Sequence, residues 1–552
     1  MTYREKLLNY FRQRDRGWLL SLFMLVCLTY LPFLGNPFVF DDIGLFHNGG
    51  VASFGNTLFE FKLRWFPYAS LVWTATMFSD ALTHFFHVGN MLLHTGNIIL
   101  LFYLLRGLLG ACMAEQAQQR TIIWGAWLAA LVFSAHPLAV YAVGYIIQRS
   151  ILMATFFALV MQLAYLRALL TGRERWLILV VVAYFMAGFS KEHSMLMPAV
   201  LVAQHILLLR SRGQVPFPKL DNRALWLCWG TLLLIAVTIT FLAKSAVGIA
   251  YEPMAAMIFE QQRVTASGPM LYLLSVMTQA GLFFKYLFLW ILPNPAWMSV
   301  DMRESFVPVW TAWQGWLGVI AFVGYGMLAA YLLLRGGKRG LFGFALLYPW
   351  LLFLIEFSSI RVQEPFVLYR SYLWMPGMML FFPLLLIKWP GRRMIFALGL
   401  VVLILLPAAW NRLWVFADNY RLWNDAALLL RSGKEAGSDR IFYNRGQAKA
   451  KEKKWEEAIA DFERVVELSP QLVPVHQALG MAYVNSGHYQ QAIAPFDAAL
   501  ALKPDEAGAY YGKGLALMGL HESVQAKISM ERGCELGSEM ACMMAGWSRN
   551  KK

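Results

Sequence analysis

Residues 455–462 read Trp455-Glu-Glu-Ala-Ile-Ala-Asp-Phe462, and 34 positions later the chain reads Tyr489-Gln-Gln-Ala-Ile-Ala-Pro-Phe496. An aromatic, a small residue and a second aromatic return at fixed offsets. The same period extends outward. Gly446, Gly480 and Gly514 are 34 apart, as are Ala458, Ala492 and Ala526, the set Phe462, Phe496 and Met530, and the pair Pro470 and Pro504. Ser523 takes the third place after Trp455 and Tyr489. A unit of this kind predicts two antiparallel helices. The small residues let the helices approach, and the proline ends the second.

This spacing is the tetratricopeptide signature. It predicts about three repeats between roughly 436 and 540 with a capping helix after them, so 436–552 is expected to be a repeat domain and 411–435 a linker or first helix. In the tail, Cys534 and Cys542 lie eight residues apart on either side of a Gly turn. That spacing can place them on facing helices. The pair resembles the cysteine pairs of secreted Sel1-like repeats, which implies a disulfide; two buried thiols are the alternative.

Upstream the character of the chain changes. The 552 residues are 59% hydrophobic and 15% charged, against about 45–50% and about 25% for soluble domains. Apolar runs long enough for a bilayer of about 30 Å follow one another through 1–410. A conventional soluble enzyme, a disordered chain and a collagen are excluded. Five cysteines are too few for a disulfide-built scaffold. The formal charge of +15 is unevenly spread: residues 1–410 hold 30 Lys+Arg against 16 Asp+Glu, and residues 411–552 hold 18 against 17. The excess sits in short loops of the apolar part, where it sets orientation. No nucleic-acid partner is expected.

The basic start (Arg4, Lys6, Arg12, Arg14, Arg16) predicts a cytoplasmic N-terminus, and Trp18–Leu34 a retained first span rather than a signal peptide. Further spans are expected near 84–108, 121–142, 150–170, 176–189, 194–210, 224–243, 269–292, 312–335, 341–357, 367–388 and 393–410, about 11 firm ones and 12 or 13 in all. Lys285 interrupts 269–292, which is therefore expected to re-enter, unless residues 244–268 hide another crossing. Residues 66–82 suit an interface helix. Basic connectors at 171–175, 210–223, 335–339 and 388–393 fall inside. The loops holding Asp41/Asp42, His136, Lys191/Glu192 and Arg361/Glu364 fall outside, and the repeats are exported, where a disulfide is permitted.

Those outer loops carry the chemistry. Phe38-Val-Phe-Asp-Asp-Ile-Gly44 sets two carboxylates beside the first span. They either cap the next helix or supply a base at the membrane surface. Arg64 follows. His87, Asn90 and His94 recur at three- and four-residue spacing and share one helix face; they serve helix–helix hydrogen bonding or a substrate. They are not a convincing zinc set. His136, Ser190-Lys-Glu-His193, Glu364, Tyr369 and Tyr372 lie at a similar depth. Arg149, Lys191, Arg361 and Arg370 together suit a phosphate or pyrophosphate group.

Asp41-Asp42, His87 through His94 with Asn97, Ala135-His-Pro137 to Arg149, Ser190-Lys-Glu192, Tyr369-Arg370 to Pro376, and Arg421-Leu-Trp423 ahead of the repeats are similar, in that order, to the transmembrane-and-tetratricopeptide-repeat O-mannosyltransferases of the GT-C superfamily, which have bacterial relatives. The resemblance covers nearly the whole chain. It implies an all-α fold: a GT-C-like helical membrane domain followed by a tetratricopeptide solenoid. It implies a multi-pass inner-membrane enzyme that moves a sugar, with inversion, from a polyprenyl-phosphate donor to a protein Ser/Thr hydroxyl on the periplasmic side. Asp42, or Asp41 if the register differs, takes the role of base. No certain cofactor is implied; Mg²⁺ or Mn²⁺ bridging Asp41/Asp42 and phosphate is compatible with the residues. The acceptor protein would use the repeats. A glycan or lipid acceptor, and a non-enzymatic envelope scaffold, are the alternatives.

Overall fold

The computed structural model describes residues 15–47, 50–55, 57, 59–78, 82–113, 119–211, 220–244, 255–386 and 391–546. The basic N-terminal stretch through Arg14 and the connector residues Arg212, Lys219 and Lys388 lie outside them. The chain is all-helical, with no strand among the described residues, and divides into two compact units, Met1–Asp418 and Asn419–Lys552. The division falls inside the expected 411–435 connector.

The first unit holds α1 (Arg16–Tyr30), α2 (Asp41–His47), α3 (Trp65–Met77), α4 (Leu82–Met113), α5 (Gln119–Ala135), α6 (Pro137–Val143), α7 (Arg149–Thr171), α8 (Arg175–Ser190), α9 (Met197–Arg210), α10 (Asn222–Leu242), α11 (Ala255–Gln261), α12 (Gly268–Ile291), α13 (Trp313–Leu334), α14 (Gly337–Phe353), α15 (Phe381–Leu386) and α16 (Gly391–Val415). Among the described residues, 8 helices are long and apolar enough to cross a membrane, or up to 10 if each of two bent pairs is one span.

That is fewer than the roughly 11 expected, and the differences have local causes. The expected span 121–142 breaks between α5 and α6 with a 62° bend. His136 caps the second piece, its Nδ1 accepting from the Leu138 amide, and Pro137 starts it. Helix α8 has only 16 residues. The expected span 367–388 is not a regular helix: it runs as 3₁₀ turns at Leu368–Tyr372 and Met375–Leu380 before α15. Pro376 and Pro383 interrupt it, and Gly377 lies so close to Tyr348 that a Cβ would sit 2.3 Å from its ring. This irregular backbone is buried in protein, which is where it can be satisfied in a membrane unit. Where a re-entrant or interfacial element is expected at 269–292, the backbone forms one unbroken helix. Helix α12 is continuous for 24 residues, and the Lys285 that prompted the reading is paired with Glu304. No long helix occupies the described part of 244–268, which holds only α11.

The second unit comprises α17 (Asn419–Leu428), α18 (Ser438–Lys451), α19 (Trp455–Leu468), α20 (Val473–Asn485), α21 (Tyr489–Leu502), α22 (Ala507–Gly519), α23 (Ser523–Glu535) and α24 (Glu539–Met544). The pairs α18/α19, α20/α21 and α22/α23 are the three repeats. Their period has a steric cause. A Cβ on Gly446 would lie 2.7 Å from the Phe462 ring, on Gly480 2.7 Å from Phe496, and on Gly514 2.8 Å from Met530. Each repeat thus seats the large residue of its second helix on the bare backbone of its first. Cys534 and Cys542 form a disulfide that joins α23 to α24, which removes the alternative of two thiols.

The turn inside each repeat also recurs. Lys453, Gly487 and His521, again 34 apart, adopt φ of 60°, 83° and 64°. The amides of Lys454, His488 and Glu522 then close back to the carbonyls of Lys449, Tyr483 and Leu517, the helix-ending motif that favours glycine. Only the middle repeat has it. A left-handed non-glycine residue costs roughly 1–2 kcal/mol, partly offset by the freedom glycine adds to the unfolded chain. Lys453→Gly and His521→Gly are therefore each expected to stabilise the repeats by about 0.5–1 kcal/mol. Urea unfolding followed by the fluorescence of a single tryptophan kept at 455 measures this.

Candidate functional site

The site is assembled from five separate stretches of the first unit. Each is a place where a helix stops: the α1–α2 loop, the start of α3, the α6–α7 turn, the α8–α9 break, and the segment after α14.

The α1–α2 loop delivers two carboxylates with opposite surroundings. Asp42 is fully buried. Its Oδ1 accepts from the Ile147 amide at 2.8 Å and its Oδ2 from the Val39 amide at 3.4 Å. Burial nevertheless pushes its carboxyl up to about 8, the two amides pull it down, and Asp41 next door raises it. Asp42 is a sealed carboxyl that pins the loop to the α6–α7 turn. Asp41 is exposed. Its amide donates to the Tyr145 hydroxyl at 3.0 Å, which fixes its backbone beside the site.

The cations form the opposite wall. Arg64 stands at the start of α3 with a left-handed φ of 62° and holds Glu192 by two hydrogen bonds, one of them Nε to Oε2 at 3.0 Å. His193 lies between Glu192 (3.5 Å) and Glu356 (3.2 Å). Glu356 in turn is ion-paired with Arg361 Nε at 3.0 Å and accepts a hydrogen bond from Arg370 at 3.2 Å. Lys191 differs from these. Among the described residues it makes no ion pair, and its ammonium sits 5.5 Å over the Tyr369 ring. Burial, then the charges of Arg64, Arg370 and Arg361, push it down to about 7 against the pull of Glu192. Tyr369 lies within electrostatic reach of Arg370, Glu364, Asp41 and Arg64, so it stands between the carboxylate and the cations.

Of the residues expected from the sequence, Asp41, Asp42, Arg64, Lys191, Glu192, Arg361, Glu364, Tyr369 and Arg370 are brought together here. The others are not. Arg149, expected to bind donor phosphate, is enclosed by neutral acceptors. It donates to Asn90 Oδ1 (3.0 Å), Ser70 O (3.2 Å), Ser70 Oγ (3.3 Å), Thr74 Oγ1 (3.1 Å) and Phe86 O (2.9 Å). It ties α3 to α4. The row on α4 is likewise structural. His87 meets Asn36 O at 3.0 Å, Asn90 spans the carbonyls of Val143 and Ile146, and His94 bridges the Tyr372 hydroxyl (2.6 Å) and Ser134 O (3.2 Å). His136 is engaged through Trp290 O at 3.1 Å and the Leu138 amide. These side chains satisfy buried polar groups between helices.

The key residue missed from sequence is Glu356. It lies inside an apolar stretch read as a span, and a lone carboxylate there is a signal that it has a partner. No group of three or more His, Cys, Asp and Glu suited to a metal occurs among the described residues.

The family model for the tetratricopeptide repeat matches residues 449–527. The C-terminal unit is a tetratricopeptide-repeat domain. Solved structures with a similar fold in this region include the Arabidopsis OM64 tetratricopeptide domain (18% identity, 20% of this chain and 92% of that one, TM-score 0.19). The tetratricopeptide protein YrrB, described as having an unusual peptide-binding site, matches at 17% (31% and 81%, TM-score 0.22), and MamA at 20% (26% and 78%, TM-score 0.20). No curated protein sequence matches the chain. Tetratricopeptide repeats present extended concave surfaces for binding other proteins.

Glu356→Gln leaves Arg361 and Arg370 buried against a neutral amide. Breaking a buried ion cluster in this way costs about 3–5 kcal/mol. Thermal melting of the detergent-solubilised chain is expected to show a clearly lowered midpoint, with no comparable change for Lys285→Gln at the half-exposed Lys285–Glu304 pair.

Proposed function

We propose that the first unit is a GT-C-type glycosyltransferase of the bacterial inner membrane. It moves a sugar from a polyprenyl-phosphate carrier to a protein Ser/Thr hydroxyl on the periplasmic side, and the tetratricopeptide domain holds the acceptor protein. The observation that carries this reading is the gathering around Tyr369 of an exposed carboxylate, Asp41, and the cations Arg64 and Arg370, with the Lys191 ammonium over the same ring. An inverting transfer needs both: a base for the acceptor hydroxyl and positive charge for the phosphate that leaves.

The burial of the two aspartates divides their roles. A base must touch its substrate and carry a negative charge at the working pH. Asp41 meets the first condition. Asp42, sealed and raised to about 8, meets neither, so it is a positioning residue and the base is assigned to Asp41. Lys191, which makes no ion pair among the described residues, takes the donor phosphate. The paired arginines supply a fixed positive field around it. The acceptor proton passes to Asp41, the oxygen attacks the anomeric carbon, and the bond to polyprenyl phosphate breaks.

In a reconstituted transfer assay, Asp41→Asn is expected to lower kcat by at least about 100-fold, the usual contribution of a general base. Asp42→Asn, near-isosteric with the protonated acid, is expected to stay within about tenfold. Equal losses, or a larger loss for Asp42→Asn, reverse the assignment. The pH dependence follows from Lys191. Its charged form prevails below about 7, so kcat/KM for the donor is expected to fall as pH rises through that value. Lys191→Arg, charged throughout, is expected to abolish that decline. A profile that the substitution leaves unchanged counts against the phosphate role.

A further inference from the structure

Just before the two aspartates, the loop holds an aromatic residue in a backbone state that a Cβ disfavours. Phe40 has φ of 49°, in the left-handed region. The bend does not serve to bury the ring, which stays half-buried. It stands near-parallel to Tyr145, with centroids 6.2 Å apart and planes at 27°. Tyr145 is buried and is backed by Phe416 at 6.3 Å. On the other side Tyr369, also half-buried, meets Tyr145 edge-on at 6.2 Å.

The result is a shelf of two partly exposed rings flanking a buried one. Its buried ring bonds the backbone of Asp41, and one outer ring underlies the Lys191 ammonium. Strain retained at such a position points to a function for what it presents. The chemistry of the shelf selects its ligand. A neutral sugar ring carries C–H groups on its faces and hydroxyls at its edge, so it stacks on aromatic faces while its polar rim stays hydrated.

We infer that Phe40 and Tyr369 form the sugar subsite, Phe40 stacking one C–H face of a neutral pyranose or furanose and Tyr369 closing its edge, beside Asp41 and Lys191. This rests on the donor reading above and goes beyond it by naming the residues that recognise the carbohydrate rather than the phosphate.

The test is binding by native mass spectrometry of the full chain in nanodiscs. The probes are decaprenyl phosphate and decaprenyl-phosphate-linked mannose, glucose, galactose and arabinose. The wild-type chain is expected to bind at least one sugar-bearing lipid about tenfold more tightly than the bare phosphate, the order of gain of one good aromatic contact. Phe40→Gly, which accepts this φ, is expected to erase the sugar increment while bare-phosphate binding stays within about twofold. Phe40→Leu, which keeps bulk without a π face, and Tyr369→Leu are expected to do the same to the increment, and Phe40→Trp to preserve it. An increment that survives Phe40→Gly, Phe40→Leu and Tyr369→Leu overturns the subsite but leaves the donor reading standing, as does wild-type binding with no increment for any sugar. A wild-type chain that binds none of the five lipids overturns the donor reading and the subsite with it.

Discussion

A carboxylate buried just after an apolar helix must find positive charge, and Glu356 finds it in Arg361 and Arg370, further along the same segment. Arg361, Arg370 and His193 all converge on it. Through His193 and Glu192 the network reaches Arg64. Each charge alone would be expensive so far from water. Linked, they fix the segment after α14, the α8–α9 break and the start of α3 against one another. The α1–α2 loop is tied to the same place by other means, since Asp42 is bonded to the Ile147 amide and Asp41 to the Tyr145 hydroxyl. Among the described residues Lys191 makes no ion pair, and Asp41 is exposed. The proposed transfer places an anionic donor and a hydroxyl acceptor at these groups.

The second unit depends on shape rather than charge. Its register is set by a missing Cβ under a large side chain, three times over. Because glycine and phenylalanine are unmistakable in a sequence, this half of the fold was legible down to the repeat boundaries, and the cysteine pair beside it could be placed on facing helices. The membrane unit was legible only as a succession of apolar runs. Hydropathy reports composition, and it does not distinguish α14, a regular helix, from the 3₁₀ turns around Pro376, whose residues are just as apolar but buried in protein.

The candidate site was partly readable for a related reason. Charged residues in otherwise apolar surroundings stand out, so Asp41, Asp42, Lys191, Glu192, Arg361 and Arg370 could be singled out one by one. What sequence could not reveal was whether each partner was already taken. Arg149 looked like a free cation and is fully occupied by carbonyls and hydroxyls. The spacing of His87, Asn90 and His94 fits either a substrate or helix–helix bonding, and His94 shares the Tyr372 hydroxyl with Asn97. The order of the two aspartates likewise could not be decided from spacing, because burial, not position in the motif, separates the sealed acid from the accessible one.

The most direct test of the central claim is mass spectrometry of envelope proteins and glycolipids from cells carrying the wild-type chain, the Asp41→Asn chain, or neither. The account predicts a hexose or pentose mass on a Ser/Thr-containing peptide that is present with the wild-type chain and absent in the other two. An unchanged set of glycoproteins and glycolipids across all three would contradict it and leave a membrane-anchored tetratricopeptide scaffold.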